Sequence, residues 1–301
     1  MKLLISADWH LRADVPISRK PFFSTEEWLD FQKEIITEVF EDARERGIPV
    51  VVVGDIFHWG IVHPSVVNML LGVIKENLDV PFYIMPGNHD LLYHQTKFIY
   101  RSSFGILWNL RGSLVHDVAT LGLCFHFGEV LPEEFLSPEL VFMHELSFRS
   151  KEEQPPGKSF TAHELLLTYK QASHIFIGDN HHRYLYQASD GRKVLSPGCL
   201  IRQTADMIDD TVGYYVVDTE KEDGVHLVNI DDGELSDAHL EDNKEDENTE
   251  TIRAFLKQLN KKSKTSVDFI ENLHYVLRTG DIPPVVQSIV ENILTEIKGG
   301  V

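Results

Sequence analysis

Thiols are nearly absent from this sequence: among 301 residues only Cys124 and Cys199 occur. Two cysteines build neither a disulfide framework nor a thiolate zinc site, and so few suit a reducing cytoplasm. Long apolar runs are missing as well. No stretch approaches the roughly 20 apolar residues a membrane helix needs, which argues against a spanning protein. Residues 1–7 (MKLLISA) are cut short by Asp8, Trp9 and His10, so they read as a buried strand and not as a secretory leader. Basic charge is scarce. The 28 Lys and Arg stand against 47 Asp and Glu, a formal net charge of −19. Proteins that coat duplex DNA do so by neutralising phosphates, and this balance counts against that mode of binding. Much of the excess is local, however: residues 231–250 (DDGELSDAHLEDNKEDENTE) hold ten acidic residues and one Lys. The remainder is moderately acidic and leaves room for a local basic track.

What is present is a chain that is 43% apolar, enough for a true core. Residues 2–6 (KLLIS) and 48–53 (IPVVVV) are short apolar runs that end in Asp-containing loops, as buried strands of a layered α/β fold do. Ser24-x-x-Glu27 is a capping box opening a helix through Arg46, with Trp28, Phe31, Ile35 and Val39 at helical spacing. Gly47 ends it. Pro64 begins a second helix over 64–77, a third strand covers 81–85, and a helical stretch is expected over 92–109. Further strands are expected near 113–116, 121–127, 139–143, 173–177, 183–187, 193–196, 212–218 and 224–230, with a helix capped by Thr161-x-x-Glu164. Three parts follow from this: a catalytic body over 1–230, an acidic linker over 231–250, and a helical region over 251–301.

Polar clusters stand just after the apolar strands. They are Asp8-Trp9-His10, Gly54-Asp55-Ile56-Phe57-His58, Gly87-Asn88-His89-Asp90, then His144, then Gly178-Asp179-Asn180-His181. Taken singly each is weak, since Gly-Asp is commonly a turn and a lone His such as His144 is commonly a satisfied core residue. Five in series, each at a strand end, point to a site assembled from convergent loops. The residue types suit phosphodiester hydrolysis, which needs water made into hydroxide and the phosphate charge neutralised. Two divalent ions roughly 4 Å apart do both. Asp55 is the natural bridging ligand, with Asp8, His10 and His181 on one ion and Asn88, His144 and Asp179 on the other. His182 is an alternative to His181. Oxygen and imidazole donors without thiolate favour Mn²⁺, with Mg²⁺ or Fe²⁺ as alternatives.

The series Asp8-x-His10-Leu11, Gly54-Asp55-x-Phe57-His58 and Gly87-Asn88-His89-Asp90 resembles the calcineurin-like metallophosphoesterases. Within them it resembles the SbcD-type nucleases of double-strand-break repair and phage recombination. Many phosphatases of the superfamily carry an acid near the position of His58, where these nucleases carry His. The resemblance implies a four-layer α/β sandwich flanked by helices, and metal-dependent hydrolysis of DNA, often by a 3′-to-5′ exonuclease with endonuclease activity. It implies that His89 stabilises charge or protonates the leaving oxygen, that Asp90 orients His89, and that His58 places the phosphate. It further implies a homodimer through 64–77 and 92–110, and a C-terminal region that docks on an SbcC-type coiled-coil ATPase. One departure stands out: Asp179 occupies the place where these proteins usually carry a histidine on the second ion. A carboxylate ligates Mn²⁺ or Mg²⁺ well, so the expectation is a working site with a harder second position. Basic residues beside the motifs include Arg12, Arg19, Lys97, Arg101 and Arg202. Arg12 and Arg202 are the expected DNA contacts. Phosphatase action on a small molecule, and a catalytically weak DNA-binding subunit, are the competing readings.

Overall fold

The computed structural model describes residues 1–125, 139–154 and 159–236. The chain divides into two units, Met1–Asp237 and Ala238–Val301. The second, with the helices expected over 250–261, 265–278 and 283–298, lies outside the described residues.

In chain order the first strands are β1 (Lys2–Ser6), β2 (Val50–Val53), β3 (Phe82–Met85), β4 (His116–Asp117), β5 (Leu123–Phe125) and β6 (Leu140–His144). They are followed by β7 (Ser147–Phe148), β8 (Phe160–Thr161), β9 (His174–Gly178), β10 (Tyr184–Gln187), β11 (Lys193–Ser196), β12 (Val212–Asp218) and β13 (Val225–Ile230). The helices are α1 (Thr25–Arg46), α2 (Pro64–Glu76), α3 (Phe104–Asn109) and α4 (Ala162–Thr168). One sheet has the order β13-β12-β1-β2-β3-β4 and the other β10-β11-β9-β6-β5. β1 to β4 run parallel, as do β5, β6, β9 and β11, so both sheets aim their carboxyl ends at the same kind of loop.

Side-chain alternation along these strands builds the layers. Leu4, Val50, Val52, Phe82 and Ile84 pack under α1 and α2. Their neighbours Leu3, Ile5, Val51 and Val53 face the other way and meet Phe142, Phe176 and Leu195 of the second sheet. Val141, Met143, Ile175 and Ile177 then pack under α4. The result is helix, sheet, sheet, helix. Strands buried on both faces need the unbroken apolar runs seen in the sequence, because each such side chain contributes roughly 1.5–3 kcal/mol on burial.

Both capping boxes form. Ser24 and Glu27 close α1, whose C-cap Gly47 is left-handed at φ 65°, and Thr161 and Glu164 close α4. The stretch expected as a helix over 92–109 instead breaks into 3-10 turns at Leu92–His94 and Thr96–Arg101 before α3. Tyr93 and His94 take left-handed φ values of 55° and 52°, which no α-helix continues through. On α2, Val66, Val67, Leu70 and Ile74 face the core, so they are not available to a dimer. The first six residues of the acidic segment belong with the body. Asp232 is 2% exposed and ion-paired to Arg19, which is itself fully buried, and the Ser236 N–H donates to the Ser18 carbonyl. Arg19 therefore serves packing and, fully buried, is out of reach of a phosphate.

His174 opens β9 at the end of the sheet away from the polar clusters. It is buried, and that burial, with Lys193 and the N-terminal amine nearby, pushes its pKa down to about 4. A histidine that stays neutral when folded but protonates near pH 6.5 when unfolded leaves stability intact above that pH. Stability is then lost as pH falls toward 4. Urea denaturation at pH 7 and pH 5 should show a smaller pH-dependent loss in His174→Gln than in the wild type. Equal losses would mean that His174 protonates as readily in the folded state.

Candidate metal centre

The carboxyl ends of β1, β2, β3, β6 and β9 meet at one place and deliver the polar clusters to it. Asp55 is the hub. Its Oδ2 is buried, accepts no hydrogen bond of good geometry, and lies 3.8 Å from His10 Nε2 and 3.3 Å from His144 Nε2. Its Oδ1 accepts the His89 N–H at 2.9 Å. On one side of the hub, Asp8 lies 3.9 Å from His10 Nε2, and His10 Nε2 faces His181 Nε2 at 2.9 Å. On the other side, His144 Nε2 is 3.1 Å from Asn88 Oδ1 and 3.8 Å from Asp179 Oδ1. All seven residues expected as ligands are thus gathered into one cluster with Asp55 between its halves. His182 is not among them: it is exposed and its Nδ1 bonds Asp210 at 2.8 Å.

Local backbone makes this crowding feasible. Asp8, His10, Asp55 and Asp179 all adopt left-handed φ between 47° and 81°, each a cost of order 1–3 kcal/mol that persists where surrounding structure enforces it. Gly54, at φ 83°, lets His144 lie against the β2 loop, since a Cβ there would sit 2.2 Å from His144 Nδ1. At Gly87 a Cβ would sit 2.1 Å from Asp55 Oδ1. Any side chain at either position would displace a ligand.

The electrostatics demand positive charge. Burial pushes the Asp8 carboxyl well above its usual range, with Asp55 and Asp179 adding repulsion that His144 only partly offsets. Burial would likewise raise Asp55, but His144, with His10 and His89, holds it below the ordinary carboxylate range. Burial alone would lower His144, yet Asp55, Asp8 and Asp179 raise it well above an ordinary histidine. Burial lowers His10 and His181, which keeps them neutral with lone pairs to offer. Three carboxylates, two neutral imidazoles facing each other and an unsatisfied buried oxygen fit divalent ions. Among the described residues, three groups have ligand atoms within 4.8 Å of one another: Asp8-His10-His181, Asp8-Asp55-His144 and His10-His58-His89.

His89 and His58 stand beside the ligands. The His89 ring centroid is 4.9 Å from that of His10 and 5.5 Å from that of His58. His89 is not oriented by Asp90, contrary to expectation. Its Nδ1 donates to the His58 carbonyl at 2.8 Å, whereas buried Asp90 accepts the N–H groups of Ile56 (3.2 Å), Phe57 (2.8 Å) and Gly87 (2.9 Å). Asp90 clamps the β2 loop to the β3 loop. Burial and the nearby Asp55 raise its pKa to about 7. His58 accepts from Arg12 Nη1 at 2.8 Å; burial and Arg12 together bring its pKa down to about 4. Arg12 also pairs with Asp14 and stays at the site. Arg202 does not: its Nε meets Asp232 at 2.8 Å, Nη1 the Ile208 carbonyl at 2.9 Å and Nη2 the Gly233 carbonyl at 2.6 Å. That arginine fastens the segment after β13 and has little left for DNA. Sequence reasoning missed Gln203, whose amide donates to the His10 carbonyl at 3.0 Å, and Trp59, whose ring lies 4.5 Å from that of His58. Trp59 directly follows the His58 motif, which is the signal that could have found it.

Residues 1–189 match the model of the calcineurin-like phosphoesterase family. The chain belongs to that family. Metal-dependent phosphoester hydrolysis is the chemistry that membership brings. No curated protein matches the chain. Among solved structures, this calcineurin-like phosphoesterase is similar to Vps29 from Entamoeba histolytica complexed with Zn²⁺, at 14% identity and TM-score 0.34, over 78% of this chain and 96% of that one. It is also similar to 5′-nucleotidase from Candida albicans, at 15% identity and TM-score 0.35, over 77% of this chain and 52% of that one.

If Asp90 is a clamp, Asp90→Asn leaves one of three backbone N–H groups facing an amide donor, a loss of about 1–3 kcal/mol. Denaturation should show that loss, and calorimetric Mn²⁺ titration should show weaker binding in the same variant. A variant of wild-type stability and metal affinity but reduced turnover would restore the orienting role.

Proposed function

We propose that this phosphoesterase is a metal-dependent DNA nuclease of the SbcD type, an exonuclease with endonuclease activity that processes DNA ends. The observation that carries the reading is the Arg12-His58-His89 group beside the ligand cluster, with Arg12 Nη1 2.8 Å from His58 Nε2. A carboxylate in place of His58 would repel a phosphodiester; a neutral imidazole backed by a guanidinium admits one.

Asp8, His10 and His181 would hold one ion, Asn88, His144 and Asp179 the second, and Asp55 would bridge them. Mn²⁺ fits this donor set, with Mg²⁺ as the alternative favoured by the oxygen of Asp179. When bound, the two ions supply an activated water and neutralise the phosphate. The protein's own side chains do the remainder. Arg12 draws the phosphate in. His58, neutral near pH 7, holds Arg12 in place. His89 has its Nδ1 committed to the His58 carbonyl, so proton exchange falls to Nε2, which would serve the leaving oxygen.

Partners extend the reading. Residues 251–301 carry two apolar stripes, Phe255, Leu256 and Leu259, then Phe269, Ile270, Leu273 and Val276. These suit docking on a coiled-coil ATPase of the SbcC type. A homodimer would use exposed Tyr100 and Ile106 near α3, since the apolar face of α2 is spent on the core.

With Mn²⁺ and end-labelled duplex and single-stranded DNA, the wild type should degrade both substrates. His89→Ala should cut turnover by about 10²–10⁴-fold with metal content unchanged, and Asp179→Ala should lose an ion per chain. A wild type that binds two ions yet leaves DNA intact overturns the proposal. An inert wild type that gains activity on Asp179→His would mark a catalytically quiet binding subunit instead.

A further inference from the structure

An exposed aromatic ring beside a hydrolytic centre offers a face on which a planar ligand can stack. Trp59 is 53% exposed, and its ring lies 4.5 Å from that of His58 and 6.2 Å from that of His89. The backbone that follows it is anchored. The Gly60 carbonyl accepts the Ser103 N–H at 2.7 Å, Val62 N–H donates to Ser103 Oγ at 3.0 Å, and a Cβ on Gly60 would meet Leu92 N at 3.0 Å. The loop that carries Trp59 is thus packed on the 91–92 backbone and fixed to the start of α3.

Next along that backbone stands Tyr93, 76% exposed, lifted out by a left-handed φ of 55°. A non-glycine residue held in that region costs energy, and the surrounding structure keeps it there. Behind Tyr93 lies Phe98, at 5.7 Å between centroids, with Lys97 Nζ 4.8 Å from its centroid and the Arg101 guanidinium carbon 5.4 Å from it. Both cations are exposed. A flat ring beside the phosphate-handling residues, a second on the adjoining backbone and two cations beside Phe98 match a polymer that alternates planar bases with phosphates.

We propose that Trp59, with Tyr93, is a stacking platform for unpaired nucleobases next to the scissile phosphate, so that the preferred substrate is single-stranded or frayed DNA. The proposal rests on the nuclease reading and names its substrate class. In a duplex the faces of the bases are covered by the neighbouring pairs of the stack, so a duplex must fray before Trp59 can take a base, whereas a single strand binds at once. The ring contacts of Trp59 are with His58 and His89, not with the seven residues that would hold the ions, so the metal centre can form without it.

The test compares wild type, Trp59→Ala, Trp59→Phe and Tyr93→Ala. Binding is measured in Ca²⁺ to an oligothymidylate and to an abasic oligomer of equal length. Hydrolysis of bis-p-nitrophenyl phosphate, which carries no base, is followed in Mn²⁺. Trp59→Ala should weaken oligothymidylate binding by about 5- to 100-fold, with Trp59→Phe recovering most of it and Tyr93→Ala showing a smaller loss. Abasic binding should stay within about twofold, and every variant should still hydrolyse the small ester. Equal binding of oligothymidylate by wild type and Trp59→Ala, or equal wild-type affinity for the two oligomers, overturns the platform. A wild type that cleaves DNA while Trp59→Ala binds normally sinks the platform alone; one that hydrolyses the small ester but neither binds nor cleaves DNA sinks the nuclease reading with it.

Discussion

Crowding of like charge is the constraint on which the rest of this molecule depends. Asp8 and Asp55 are buried, Asp179 is mostly so, and all three reach within 4.0 Å of the same nitrogen of His144. Carboxylates taken out of water at such spacing repel strongly and gain nothing from solvent. Cations alone relieve this. The upward push that Asp55, Asp8 and Asp179 exert on His144 against its burial reports how strong the demand is. A divalent ion meets the same demand with more charge and a defined geometry, so the folding of these loops and the binding of metal are one coupled event. The left-handed residues and the close-packed glycines are what the backbone concedes to bring the donors so near.

Rigid strands make that concession sustainable. β1, β2, β3, β6 and β9 are interior strands of their sheets, and β2 is buried along its whole length. Strain at a loop survives where the strand beneath it cannot shift, and strands packed on both faces shift least. Asp90 adds a second fastening, since its three accepted N–H groups lie in the loops after β2 and β3. His89 is then held through the His58 carbonyl, from the neighbouring loop, so both imidazoles depend on that clamp although neither touches it.

Much of this was legible in the sequence, because buried parallel strands write unbroken apolar runs and the ligands follow each run directly. Ser24, Gly47, Pro64 and Thr161 announced helix ends through local bonds that need no tertiary context. What stayed hidden depended on distant partners. Asp90 looked like a partner for His89, and only the approach of the β2 loop gives it backbone N–H groups to accept instead. Arg19 and Arg202 looked like surface cations beside motifs; Asp232, more than 200 residues from Arg19, takes both. The break at Tyr93 and His94 was invisible because nothing in those residue types demands a left-handed backbone. Gly60 packing on the 91–92 backbone is again a contact between loops far apart in the chain.

The internal use of Arg19 and Arg202 sharpens a problem set by the net charge of −19. With two arginines withdrawn, a nucleic-acid substrate would meet Arg12 at the centre and Lys97 and Arg101 beyond it, set in an acidic surface. Phosphate neutralisation releases few counterions under those conditions and cannot supply most of the affinity. Stacking is the interaction that does not depend on net charge, and exposed Trp59 and Tyr93 are placed to provide it. An acidic body also repels the phosphates it does not grip, which disfavours long duplex tracts and favours the short reach of a single end. On this account the low basic content, which first counted against a DNA-coating protein, is compatible with the proposed action on loosened ends. The metal centre would hold the phosphate, and the aromatic rings would hold the base.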